Sequence, residues 1–151
     1  FVVLVPAALA MVVLRPLEAL LVLAVACIAA TAAYLARRRC GRHKLAPAIS
    51  PGKTWEGAAG GLIGAAAYAM VVSIFLAGAQ ASRMATFIGA AALLVVVSIV
   101  GDLFESAVKR QAGVKDSGAL LPGHGGMLDR IDSATAILPV AAAISVARVM
   151  A

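Results

Sequence analysis

At 151 residues, 63% of them hydrophobic and only 13% charged, with a mean hydropathy of +1.01, this chain does not read as a soluble domain. Soluble domains carry roughly 45–50% apolar and about 25% charged residues. The formal charge of +6 and pI near 10 come with apolar blocks long enough to cross hydrocarbon, about 20 residues as a helix, so the basic excess points to an anionic membrane surface and anionic ligands, not to nucleic acid.

Five apolar segments follow in chain order. The first, Phe1 to Leu14, stops at Arg15-Pro16, a charge followed by a residue that marks helix boundaries. The second runs from Leu17 to about Ala36, the third from Gly57 to about Ala77, and the fourth from Met84 to Gly101. The fifth begins near Ser133 and reaches the C-terminus, with Pro139 as an expected kink. The expected fold is all-α, a polytopic transmembrane bundle of about five spans in a single membrane domain covering residues 1–151. The first segment is apolar from Phe1 onward with no charged region before it, so it reads as part of a longer protein and not as a signal peptide.

Two connections differ from the rest, Arg37 to Glu56 and Asp102 to Asp132. The first holds six basic residues and the second four, ten of the thirteen in the chain. Arg15, Arg83 and Arg148 fall at the opposite side if the helices alternate, so the positive-inside rule places both connections in the cytoplasm. Five of the seven acids also lie in the second connection: Asp102, Glu105, Asp116, Asp129 and Asp132. Carboxylates at helix ends beside lipid are costly without cationic partners, which makes them candidates for function.

If the fourth segment continues as helix past Gly101, then Asp102, Glu105, Ser106 and Lys109 share a face; if the fifth starts near Met127, Asp129 and Asp132 do likewise. Three carboxylates from two helix ends then converge, the oxygen-rich set that suits Mg²⁺ together with substrate phosphates. Lys109, Arg110, Lys115 and Arg130 supply cations for phosphate oxygens. Gly125 and Gly126, beside His124, give a backbone that a ligand can approach closely, with His124 as a hydrogen-bond donor to phosphate. The competing interpretation is a set of interfacial ion pairs and a lipid-facing basic anchor. It accounts for single residues but not for Gly-His-Gly-Gly between them.

In the first connection Pro51-Gly52-Lys53-Thr54 lacks the first glycine and the preceding strand of a P-loop. Ser50, Lys53 and Thr54 at the entry of the third segment are candidates for phosphate at a helix N-terminus, and Trp55 suits an interfacial anchor. Gly57, Gly60, Gly61 and Gly64 recur at helical spacing, which favours close helix–helix approach and is compatible with a homodimer. Cys27 lies in an apolar block and Cys40 beside arginines, which offers neither a disulfide framework nor a CxxC site. His43 and His124 have no zinc-type neighbours.

Ser106-x-Val108-Lys109-Arg110, then Lys115-Asp116-x-Gly118, then Leu121-Pro122-x-His124-Gly125-Gly126-Met127-x-Asp129-Arg130-Ile131-Asp132 resembles the signature of the phosphatidate cytidylyltransferase family, met at every specified position across 27 residues. Lys44 to Gly57 is similar to a second family segment, and Gly101 to Ser106 extends the likeness. The resemblance implies transfer of the cytidylyl group of CTP to phosphatidic acid, giving CDP-diacylglycerol and pyrophosphate with Mg²⁺, in a bacterial inner membrane with the site facing the cytoplasm. It implies Asp102, Asp129 and Asp132 as metal ligands, and Lys109, Arg110, Lys115 and Arg130 as holders of the CTP phosphates or the lipid phosphate. It also implies that the chain corresponds to the C-terminal part of a longer member.

The sequence departs from the family pattern at two places. Ala30 stands where the family commonly has Asp in an Ala-Asp-Thr-x-Ala-Tyr run, and Arg37 replaces the Gly usual after it. A second reading therefore stays open: a catalytically impaired homologue or fragment that binds anionic lipid as a membrane partner.

Overall fold

The computed structural model describes residues 4–77, 80–113 and 128–150, with side chains described for 4–76, 80–113 and 133–147. The elements in order are α1 (Leu4–Val13), α2 (Pro16–Cys40), β1 (Lys44–Ala46), β2 (Ser50–Thr54), α3 (Trp55–Ala77), α4 (Ala81–Gln111) and α5 (Leu128–Met150). The all-α expectation holds, with one small two-stranded sheet added. α2, α3 and α4 are long and apolar enough to cross a membrane, while α1 and the apolar stretch Ser133–Ala147 of α5 are shorter. The protein is an integral membrane helix bundle.

Local chemistry sets the ends. Pro16 opens α2 at a position where its missing N–H costs nothing, and the Glu18 carboxylate accepts the Arg15 backbone N–H at 3.3 Å. The same carboxylate accepts the Ser145 hydroxyl of α5 at 3.0 Å, so the acid that caps α2 also ties it to α5. Thr54 ends β2 and caps α3, its Oγ1 accepting the Gly57 N–H at 3.1 Å. α4 runs well past Gly101 to Gln111 and ends on Lys109 and Arg110, cations that suit the negative end of the helix dipole. α5 continues through Pro139.

Packing follows chain order: α2 on α3, α3 on α4, α4 on α5, with α1 closing onto α5. The buried positions are mainly alanines, including Ala7, Ala10, Ala19, Ala29, Ala65, Ala69, Ala91, Ala141 and Ala142, with Ile137 the largest fully buried side chain. Large apolar side chains such as Val12, Ile63 and Phe75 point outward. Small inside and large outside is the arrangement expected where lipid covers the exterior and helices gain stability by close approach.

The glycines of α3 belong to that packing. A Cβ on Gly64 would stand 2.6 Å from the Ala32 Cβ, and one on Gly60 would collide with the Ala36 Cβ, both on α2. Gly101 of α4 meets Ala136 of α5 in the same way. The α3 glycine face is therefore occupied within the chain by α2.

Candidate functional site

The connection after α2 is not a plain loop. Lys44 pairs with Thr54 and Ala46 with Ser50 in an antiparallel hairpin that turns through residues 47–49. Three contacts seat it. The Trp55 N–H donates to the His43 carbonyl at 3.0 Å. The Glu56 carboxylate accepts the His43 backbone N–H at 3.1 and 3.3 Å and lies 2.7 Å from His43 Nδ1. From α2, Arg37 Nη1 donates to the Gly52 carbonyl at 2.9 Å. The hairpin is held from both flanks, and Lys53 is delivered into the bundle from its last residues.

Lys53 Nζ lies 2.5 Å from Asp102 Oδ2, joining the hairpin to α4. The Lys53 side chain is only 18% exposed and Asp102 35%. Nζ is shielded from solvent, and Asp102 is its partner among the described residues. An ammonium carries three N–H donors, so a desolvated lysine with one acceptor retains capacity for an anionic ligand.

The pair borders a cavity of about 210 Å³ whose wall comes from one face each of three helices. α2 contributes Ala30, Ala33, Tyr34 and Arg37; the start of α3 contributes Gly57, Ala58 and Gly61 after Thr54; and α4 contributes Val95, Ser98, Ile99 and Asp102. Each set recurs at three- and four-residue steps, the spacing that places side chains on one side of a helix. Ser133 brings α5 to the same cavity. A larger cavity of about 430 Å³ lies toward the other end of the bundle, lined mostly by apolar side chains of α2 to α5. None of the candidate residues among the described ones lines it. Chemistry, not volume, selects the smaller one.

The structure thus unites Lys53, Thr54 and Asp102. Ser50, half-buried, pairs with Ala46 at the start of β2 and does not line the cavity. Lys109 and Arg110 sit about 10 Å further along α4 than Asp102, two helical turns on. Lys109 Nζ reaches Glu105 at 2.8 Å, with both side chains mostly buried, while Arg110 is exposed. Asp129, Arg130 and Asp132 lie in the first turns of α5. Their side chains, together with Lys115, His124, Gly125 and Gly126, fall outside the described residues. Among the described residues no cluster of three His, Cys, Asp or Glu gathers for a metal.

The sequence marks Arg37 as a topological charge and as a departure from the family's usual Gly, and singles out neither Tyr34 nor Ser98 as a site residue. Their signal was helical spacing. Ser98 stands one turn before Asp102, and Tyr34 one turn before Arg37, whose guanidinium carbon lies 5.3 Å from the Tyr34 ring centre. Ala30 places its methyl at the cavity wall, so the departure from the family pattern falls in the site itself.

The structure is thus a membrane helix bundle in which a desolvated lysine–aspartate pair borders a cavity at the basic ends of the helices. The family model described as the cytidylyltransferase family matches residues 2–147, and the chain belongs to that family. It is similar to a protein of Pseudomonas aeruginosa named phosphatidate cytidylyltransferase, 51% identical over 112 residues, which cover 74% of this chain and 41% of the relative. A Haemophilus influenzae protein of the same name is 50% identical over 111 residues, 71% of this chain and 38% of that protein. One from Thermotoga maritima is 41% identical over 126 residues, 82% and 47%. The chain spans about two fifths of the length of these relatives.

Proposed function

We propose that the protein carrying this chain transfers the cytidylyl group of CTP to phosphatidic acid, releasing pyrophosphate and forming CDP-diacylglycerol at the cytoplasmic face of a bacterial inner membrane. The observation that carries the proposal is the Lys53–Asp102 pair in a cavity between α2, α3 and α4. The orientation rests on the basic residues gathered at that end: Arg37, Arg38, Arg39, Arg42, Lys44 and Lys53 around the hairpin, and Lys109 and Arg110 at the end of α4.

The chemistry asks little of a general base. The attacking group is already an anionic phosphate oxygen; it forms a bond to the α-phosphorus of CTP while the bond to pyrophosphate breaks. Positioning and charge neutralisation dominate such transfers. Lys53 offers its remaining N–H donors to phosphate oxygens, and the Thr54 hydroxyl, whose oxygen accepts the Gly57 N–H, still has a proton to donate to them. Lys109, Arg110, Lys115 and Arg130 belong to the same proposal as further phosphate contacts, with Ser50, His124, Gly125 and Gly126 around the substrate.

Asp102 is a hard oxygen donor on the cavity wall, and Mg²⁺ is commonly held by one or two carboxylates plus substrate phosphates. The described donor fits that mode. Asp102 would hold the ion, with Asp129 and Asp132 proposed as its companions because α5 reaches the cavity at Ser133, one residue after Asp132 and four after Asp129. Bound there, Mg²⁺ would offset the charge of the triphosphate and the departing pyrophosphate. Asp102 meanwhile holds Lys53 in place, so substrate meets an ammonium that is already oriented.

Ala30 favours a second reading, an anionic-lipid-binding member with impaired turnover, because a methyl occupies a wall position where the family pattern has a carboxylate. One assay separates the two. The natural full-length protein in detergent is given radiolabelled CTP, phosphatidate and Mg²⁺, with Asp129→Asn and Ala30→Asp variants alongside. CDP-diacylglycerol formation that Asp129→Asn abolishes supports the enzyme. No product from the unaltered protein, with a large rise in Ala30→Asp, supports the impaired binder. Near-normal turnover in Asp129→Asn removes that residue from the metal site.

A further inference from the structure

The geometry points to Arg37 as a second cationic arm of the cavity, one that takes a phosphoryl oxygen of the substrate beside Lys53. The inference rests on the proposed function and extends it to a residue that the signature motifs do not include.

Three observations carry it. Arg37 lines the same cavity as Lys53, Thr54 and Asp102. Its charge is not offset as that of Lys53 is: among the described residues no carboxylate lies within ion-pair distance of Arg37, whereas Lys53 faces Asp102. The described wall therefore sets two cations, Lys53 and Arg37, beside one carboxylate, and that carboxylate is taken up by Lys53. Arg37 is also held in place. Its guanidinium rests on Tyr34 and spends Nη1 on the Gly52 carbonyl, which leaves most of its five N–H donors for a ligand. A planar fork fixed in advance loses little freedom when it meets phosphate.

Its polar contacts also staple the hairpin to α2, and a structural role alone has to be distinguished. Arg37→Gln does this, because the glutamine keeps an N–H for Gly52 and loses the charge. Trp55 is the only tryptophan and adjoins both Thr54 and Glu56, so its emission reports hairpin seating without ligand and binding with ligand. The full chain would be placed in phosphatidylcholine nanodiscs and titrated with CTP in one arm, and assembled with rising phosphatidate fractions and no nucleotide in the other. Lys53→Gln serves as the control for the site.

The expected result is unchanged resting emission in Arg37→Gln, with affinity weakened about tenfold or more, the weight of one charge-assisted hydrogen bond to phosphate, and partial recovery in Arg37→Lys. Loss in the CTP arm alone assigns Arg37 to the nucleotide phosphates; loss in the phosphatidate arm alone assigns it to the lipid headgroup. Both outcomes support the inference. Wild-type affinity of Arg37→Gln in both arms, while Lys53→Gln weakens binding, overturns it and leaves the cavity as the site. If Lys53→Gln also binds normally in both arms, the placement of substrate in this cavity fails as well.

Discussion

Removing Asp102 tests whether the lysine–aspartate pair is a working part of the bundle or a surface coincidence. At 2.5 Å the gross attraction between unit charges is about 7 kcal/mol with an effective dielectric near 20. Desolvation takes back much of this. Exposed pairs retain a net ~0–1 kcal/mol, while stripping one partner from a buried pair costs about 3–5 kcal/mol. Lys53 is mostly buried and Asp102 about one-third exposed, so Asp102→Asn alone should cost ~1–3 kcal/mol, between those limits. Lys53→Met leaves the more exposed partner unpaired and should cost less. In the double variant the two losses should overlap, with a coupling of ~1–2 kcal/mol. The assay is reversible denaturant or SDS unfolding of all four proteins in the same micelles, followed by Trp55 emission and helix content. Additivity within about 0.5 kcal/mol would show that the two charges do not sense each other, and the account of a preoriented lysine would be wrong.

Two further predictions concern the scaffold. Gly64→Leu forces a side chain into the space held by Ala32 and Ile28 of α2; it should destabilise the bundle by ~1–3 kcal/mol, whereas Gly89→Leu, where a Cβ meets nothing within 4 Å, should be near neutral in the same unfolding assay. Glu56→Ala removes the acceptor of the His43 N–H and ring contacts, so the hairpin should loosen. Faster tryptic cleavage after Arg42 and Lys44, with a shift in Trp55 emission, is the expected readout, and wild-type cleavage would show that Arg37 and the strand pairing suffice without the carboxylate.

Much of the architecture was legible in the residues because hydropathy and helical period are local properties. The apolar blocks located all five helices, and the clustered arginines and lysines marked the helix ends that surround the smaller cavity. Asp102 stood out as a carboxylate at the edge of an apolar run, and Lys53 and Thr54 as polar residues at the mouth of another. The hairpin was missed because Pro47, Pro51 and Gly52 read as loop residues, whereas His43, Glu56 and Arg37 pin them from neighbouring elements into a two-stranded ribbon. The far end of α4 was legible only conditionally, since Asp102, Glu105 and Lys109 look like a polar connection until helical period is allowed to outrank polarity.

Composition and pattern by themselves determined a membrane bundle with most of its basic residues gathered at one end. Only the tertiary structure decided that Lys53 meets Asp102, that Arg37 turns from a topological charge into a cavity wall, that the α3 glycines are spent on α2, and that Ala30 faces the site. The reason is that small residues on neighbouring helices fix how closely and at what rotation the faces approach. A spacing rule says which residues share a face; the fit of Gly60 and Gly64 against Ala36 and Ala32 says what that face will touch.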